Sequence, residues 1–391
     1  VLTVATVALG LRTATRRRVK AALLVGLALY PVQVALGAFV ATSGGAGQLP
    51  GAHLGVGMAI FVALIAALAW HLEAETGSED ETPVDDLSPA PIPDDEQSPA
   101  PPASLSTRER VVGTLSAYYR LMKPRLMWLL CLVAAAGMAL AAATGPALTT
   151  RTVLLTLGGG VLSIGASGTF NHVLERDIDK RMDRTSDRPI ATHQIPVRNA
   201  MAFGLALSAA SLALFWQVNA FAAVLGLTAI LFYSVIYTLV LKPNTVQNTV
   251  IGGAAGALPA LIGWVAVEGT LGVPGIVLAT VIFLWTPAHF YNLALAYKDD
   301  YEAGGFPMMP VVRGEATTRK HILFWLAATL LTATALAAMT DLGWLYAATT
   351  TSLGAVFLWA VIRLHRERTE QAAFRAFHAS NAYLGAVLLA V

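Results

Sequence analysis

The sequence predicts an all-α fold, a multi-pass transmembrane helical bundle, on three observations. Of its 391 residues 56% are hydrophobic and 13% charged, with a mean hydropathy of +0.62, where soluble domains carry about 25% charge. Apolar stretches of spanning length recur at 21–41, 54–70, 126–143, 152–170, 200–218, 219–241, 249–267, 272–297, 322–339 and 343–362, each able to cross about 30 Å of hydrocarbon as a helix. Between them, the basic residues fall on alternate loops, as the positive-inside rule requires of successive spans.

Taken in order, Arg16, Arg17, Arg18 and Lys20 place the start of the 21–41 helix on the cytoplasmic side, so the 54–70 helix returns there. Residues 1–71 form a first module of two or three helices. The first residue is Val and the last stretch, 379–391, ends while still apolar, which reads as a chain cut at both ends. Residues 72–110 follow as an acidic, Pro- and Ser-rich segment with ten of the 24 acids between Glu73 and Glu96 and no Lys or Arg among them. Such a segment cannot bury enough apolar surface to fold and is expected to be a disordered linker.

Residues 111–391 form the second module. Basic residues cluster at 108–125, 180–198, Lys242, 298–320 and 363–375, while the intervening loops carry only Arg151, Glu268 and Asp341. That alternation gives nine spans with the N-terminus inside. With those ten acids set aside the balance is 26 basic against 14 acidic residues, an excess of 12, which membrane topology explains without a nucleic-acid partner. Cys131 is the only cysteine, so an intrachain disulfide and a Cys-based metal site are both excluded.

The chemistry concentrates between Asn171 and Pro189, where NHVLERDIDKRMDRTSDRP packs five carboxylates and five Lys or Arg behind an apolar run. Charge of that density beside a bilayer marks function. Asn171, Glu175, Asp179 and Asp183 are four apart and on a helix would line one face, with Asp177 on the same turn but pointing elsewhere. Like charges at that spacing repel unless a cation sits among them. A solvated helix end laced with ion pairs to Lys180, Arg181 and Arg184 is the competing explanation. The 272–297 span ends in AYKDDYEAGGFPMMPVVRG, putting Asp299 and Asp300 at a second acidic helix end on the same side. Carboxylates without Cys or His ligands suit a hard cation such as Mg²⁺, held partly by substrate phosphates. That is a design for a diphosphate leaving group, with Arg176, Arg184, Arg188 and Lys242 as candidate clamps on its oxygens.

These features resemble the UbiA superfamily of intramembrane prenyltransferases, whose two aspartate-rich motifs bind a prenyl diphosphate through Mg²⁺. Within it, YYRLMKPRLMWLL at 118–130, NHVLERDIDKRMDRTSDRPI at 171–190, LKPNTVQNTVIGGAAGALPALIGW at 241–264 and WTPAHFYNLALAYKDDYEAGGFPMMPVVRG at 285–314 resemble the branch that farnesylates protohaem IX. The resemblance implies a UbiA-type nine-helix domain preceded by two or three extra helices. It also implies transfer of farnesyl from farnesyl diphosphate to a vinyl group of protohaem, at a metal–diphosphate site built from Asn171, Glu175, Asp179, Asp183, Asp299 and Asp300 on the cytoplasmic side of the cell membrane. Glu175 stands where the family commonly has Asp. A relative acting on a quinone precursor or lipid headgroup is the nearest alternative, and a cation-coupled transporter the alternative from another class.

Other residues follow from their position. His289 in WTPAHF is expected either to touch the haem acceptor or to pack in the helix interior. Tyr233 and Tyr237, at i and i+4, are expected to wall the cavity and face positive charge, with core packing the alternative. His193, His321, His365 and His378 fall in or near basic loops and read as interfacial. Gly252, Gly253 and Gly256 suit close helix packing. Upstream, residues 33–72 resemble the last two helices of the haem A synthase family, which implies His53 as a haem ligand and haem A synthase chemistry as a partner activity; an interfacial His on a helix that only anchors the enzyme is the alternative.

Overall fold

In hydrocarbon, every backbone polar group must be satisfied inside its own segment or a closed barrel, and among the described residues the chain meets this with helices alone. The computed structural model describes residue 87, residues 89–91 and residues 106–391. The haem A synthase-like module at 1–71, with His53, lies outside the described residues.

Eleven helices carry the fold: α1 (Thr107–Leu121), α2 (Pro124–Thr144), α3 (Thr150–Leu174), α4 (Val197–Val218), α5 (Ala220–Leu231), α6 (Asn248–Glu268), α7 (Val273–Ala296), the short α8 (Lys298–Ala303), α9 (Gly314–Met339), α10 (Trp344–Glu367) and α11 (Glu370–Ala390). Eight helices are long and apolar enough to cross a membrane: α2, α3, α4, α6, α7, α9, α10 and the continuous stretch Ala220–Asn244 that α5 begins. The ninth expected span is α11, 21 residues long; Glu370 and Arg375 lower its apolar character, yet it packs along α7 and α10 and against α2. That last contact closes the row of helices into a ring. Large apolar side chains such as Trp128, Leu154, Trp216 and Trp359 lie exposed on its outside, where lipid supplies their surroundings.

The linker expected over 72–110 gives way at two places. Ser106 accepts from the Glu109 amide at 3.3 Å while the Glu109 carboxylate takes the Ser106 amide at 2.8 Å, a capping box that starts α1 at Thr107. Residues 87 and 89–91 pack against the bundle: the Ala90 amide donates to the Ala303 carbonyl at 2.9 Å, and Leu87 touches the apolar cluster of Met182, Tyr301, Phe306 and Met308. Leu87 and Ala90 are half-buried there, while Pro89 and Pro91 stay exposed.

Two features of the bundle position the site. Between α1 and α2, Pro124 begins the new helix and Lys123 adopts the left-handed region at φ 55°, turning the chain and swinging the Lys123 side chain inward. Between α2 and α6, glycines set the spacing: a Cβ on Gly137 would run into the Ala260 carbonyl, and one on Gly263 into that of Ala134. Both rigid backbones would have to separate. Gly263→Leu should therefore lower the melting temperature in detergent by several degrees, against little change for Gly385→Leu, whose Cβ meets nothing within 4 Å; equal melting temperatures would refute the close-approach assignment.

Candidate active site

Helix α3 delivers the first set of donors. It ends at Leu174, but backbone bonds from Glu175 to Asn171 (2.9 Å) and from Asp179 to Glu175 (2.8 Å) continue the helical path for one more turn. Asn171, Glu175 and Asp179 therefore stay stacked, all buried. Asp183 does not. Past Asp179 the chain breaks into turns, so the expectation of four residues on one helix face fails at its last member, and Asp183 stands exposed. Asp177 is exposed as well.

The cations demanded by that spacing are present as side chains. Lys242 Nζ donates to Glu175 Oε1 at 2.5 Å, and Arg188 reaches both oxygens of Asp179 at 2.8 and 2.9 Å and Glu175 at 3.5 Å. Lys123 donates to Asn171 Oδ1 and, at 3.4 Å, to the Tyr233 hydroxyl, while Asn171 Nδ2 donates to Thr238 Oγ1 at 3.2 Å. Burial alone would raise the Glu175 carboxyl, but Lys242, Lys123 and Arg188 outweigh it and hold it below the usual carboxylate range. At Asp179 burial wins over Arg188 and the carboxyl is raised. Burial, helped by Arg188, pushes the Lys123 ammonium down to about 7, so an incoming anion would favour its charged form.

Lys242 reaches this cluster because α5 changes its winding. Residues Phe232–Leu241 form a π-helix, in which the Lys242 amide bonds the Tyr237 carbonyl five residues back. At about 100° per residue an α-helix would set Tyr233 and Lys242 on opposite sides. The wider turn aligns Tyr233, Tyr237 and Lys242 on the cavity side. The two tyrosine rings lie 5.5 Å apart and both wall an apolar cavity.

The second acidic motif meets the first. Asp300 Oδ1 accepts from the Asp183 amide at 3.2 Å and Oδ2 from the Arg184 amide at 3.3 Å, with Arg184 Nε at 3.9 Å. The Arg184 guanidinium lies over the rings of Tyr297 and Tyr301 at 5.1 and 5.0 Å. Asp299 is exposed and lines a polar hollow with Asp183, Lys298 and Arg319. Below the charged cluster opens an apolar cavity of about 260 Å³ walled by Lys123, Leu130, Cys131, Gly160, Tyr233 and Phe290, among others.

Two expectations are corrected, and a third residue, His289, takes the packing alternative. Arg176 points away, bonded to the Val173 carbonyl and paired with Asp177 at 3.2 Å, because the turn after Glu175 carries it to the outer face. His289 is stacked between Trp285 and Phe377, with ring centroids 4.1 and 4.6 Å away, and its Nδ1 meets Ser380 Oγ at 2.6 Å; it knits α7 to α11, while Phe290 beside it lines the cavity. His321 is buried in α9 rather than interfacial. Sequence reasoning missed Lys123 and Thr238. The MKPR break, a lone basic residue before a helix-starting proline, was the available signal for the first; nothing marked the second.

A ring of acids and bases at the head of an apolar, lipid-embedded cavity defines a membrane enzyme that handles an anion joined to an oily chain. Residues 129–384 match the UbiA prenyltransferase family, and the chain belongs to it. A protoheme IX farnesyltransferase of Haloarcula marismortui is 75% identical over 390 residues, 100% of this chain and 84% of that one. Among solved structures, a digeranylgeranylglyceryl phosphate synthase superposes with a TM-score of 0.60 at 17% identity, over 71% of this chain and 96% of that one. A UbiA homologue of Archaeoglobus fulgidus bound to GPP and Mg²⁺ follows at 0.53 and 19%, over 70% and 99%. Both share the fold.

Removing Lys242 leaves Glu175 buried without its nearest base, a loss of about 3–5 kcal/mol for a buried pair. Lys242→Met should destabilise by that order in detergent unfolding, and adding Glu175→Gln should restore most of it. A destabilisation unmoved by the second substitution would show that the pair is not the cause.

Proposed function

We propose that the protein transfers the farnesyl group of farnesyl diphosphate to a vinyl group of protohaem IX, giving haem O and diphosphate, at a mouth on the cytoplasmic side of the cell membrane. The observation that carries this reading is the meeting of two acid-bearing loops, with their bases, over a cavity that is otherwise apolar. The name of the Haloarcula marismortui relative favours haem over a quinone precursor or lipid headgroup as acceptor. The basic loops at 180–198 and 298–320 favour the cytoplasmic side.

The donors fit Mg²⁺. Asn171, Glu175, Asp179, Asp183, Asp299 and Asp300 offer only oxygen, which suits a hard cation. Among the described residues no three His, Cys, Asp or Glu side chains gather closely enough to hold a metal by themselves. That agrees with an ion that takes one or two carboxylates and completes its shell with water and substrate phosphates. Glu175 and Asp179 on the first loop, or Asp300 on the second, would supply those one or two carboxylates, with Asp183 and Asp299 at the exposed rim. A metal ion held there would supply charge neutralisation for the diphosphate leaving group.

The chain's own residues supply the rest. Lys242, buried, and Lys123 and Arg188, half-buried beside the acids, clamp diphosphate oxygens by exchanging an intramolecular partner for a substrate one, and Arg184 closes from beside Asp300. The faces of Tyr233 and Tyr237 flank the allylic cation. The apolar wall from Leu126 to Phe290 excludes water until the electron-rich vinyl carbon has attacked. Water then adds to the resulting cation and a proton leaves, which accounts for the hydroxyethylfarnesyl group.

Incubation with protohaem, farnesyl diphosphate and Mg²⁺ should yield haem O by mass. Asp179→Asn and Asp300→Asn should each lower the rate by about a hundredfold or more with helical content unchanged. Turnover at the wild-type rate in either variant would remove the acid loops from the mechanism, and product formed only on an aromatic acid would reassign the acceptor.

A further inference from the structure

The short helix α8 carries Asp299 and Asp300 in its first turn and ends at Ala303, ahead of Gly304 and Gly305. The Gly304, Gly305 and Phe306 amides close back on the Asp300, Glu302 and Tyr301 carbonyls at 2.9–3.0 Å, with Gly305 at φ 69°, which leaves the Ala303 carbonyl without a donor from its own loop. Residues 87 and 89–91 supply what is missing. The Ala90 amide takes the Ala303 carbonyl at 2.9 Å. Pro89 lies so close over Gly305 that a Cβ there would come within 2.9 Å of it. Leu87 packs on a cluster that draws Met182 from the first acidic loop and Tyr301, Phe306 and Met308 from the second.

Leu87 thus lies across the seam where the two loops join, a few residues from the bonds that tie Asp300 to Asp183 and Arg184. We infer that this segment is a strap, docked in cis on the α8 loop, that keeps the second acidic motif in register with the first. Its partner is the surface formed by Ala303, Gly305 and the Met182 cluster, and its recognition is that of a short extended peptide: one main-chain hydrogen bond, a leucine in an apolar notch and prolines that limit its freedom when undocked. Asp300 is thereby positioned by a residue more than two hundred positions upstream.

The strap rests on the site assignment above only where turnover is read; amide exchange reports on it without turnover. In the full chain in nanodiscs, Leu87→Asp should speed hydrogen exchange at 299–306 by about tenfold and raise KM for farnesyl diphosphate by about threefold or more, with kcat little changed. Ala90→Pro, which deletes only the amide donor, should do the same more weakly. Exchange at the wild-type rate in Leu87→Asp overturns the strap, as does an unchanged KM in an enzyme that turns over. A general rise in exchange with a lower melting temperature also overturns it, since residue 87 belongs to no span.

Discussion

Glu175 and Asp179 are buried where a membrane helix ends, and neither can stay ionised there without a base against it. Much of the local architecture serves that requirement. The π winding of Phe232–Leu241 brings Lys242 to Glu175, the turns after Asp179 fold Arg188 back onto the helix they left, and the left-handed break at Lys123 aims a third base at Asn171. Each device is locally unfavourable: a wide helix, a non-helical stretch beside lipid, a positive φ on a lysine. The ion lattice they build offsets them collectively.

A lattice already neutral suits a substrate that arrives as a highly charged anion. Its bases hold acids in reserve, so the mouth avoids the repulsion of bare carboxylates before binding. On the proposed function, diphosphate and a hard cation entering together would give both kinds of side chain new partners of opposite sign. Below it, the apolar wall keeps the reacting carbon away from water. The bundle's glycine contacts, Gly137 on Ala260 and Gly263 on Ala134, hold the helices close enough for that wall to seal.

The fold was legible because bilayer thickness prints itself on the sequence: eight of the nine expected spans return as long apolar helices, and the ninth, α11, as a more polar one. The acids were legible from their density beside an apolar run. Which bases meet them was only half legible. Lys242 and Arg188 stood out as charges near a membrane edge, but Arg176 looked the same and faces outward, since one residue of turn decides the side. The π-helix was invisible, for FYSVIYTLVL reads as any apolar helix. Asp183 left the expected face because four-residue spacing describes a helix that does not continue. His289 illustrates the limit of residue type: a histidine inside a membrane invites a ligand role, yet stacking on Trp285 and Phe377 accounts for it. The docked residues near Leu87 were hidden by the disorder-like composition around them.

Equilibrium binding of inorganic pyrophosphate, titrated calorimetrically with and without Mg²⁺, tests the lattice most directly. The account predicts binding that depends on Mg²⁺ and weakens by about tenfold or more when Arg188 is replaced by Leu, a loss of at least one charge-assisted contact. Binding that is indifferent to Mg²⁺, or unchanged in Arg188→Leu, would contradict it.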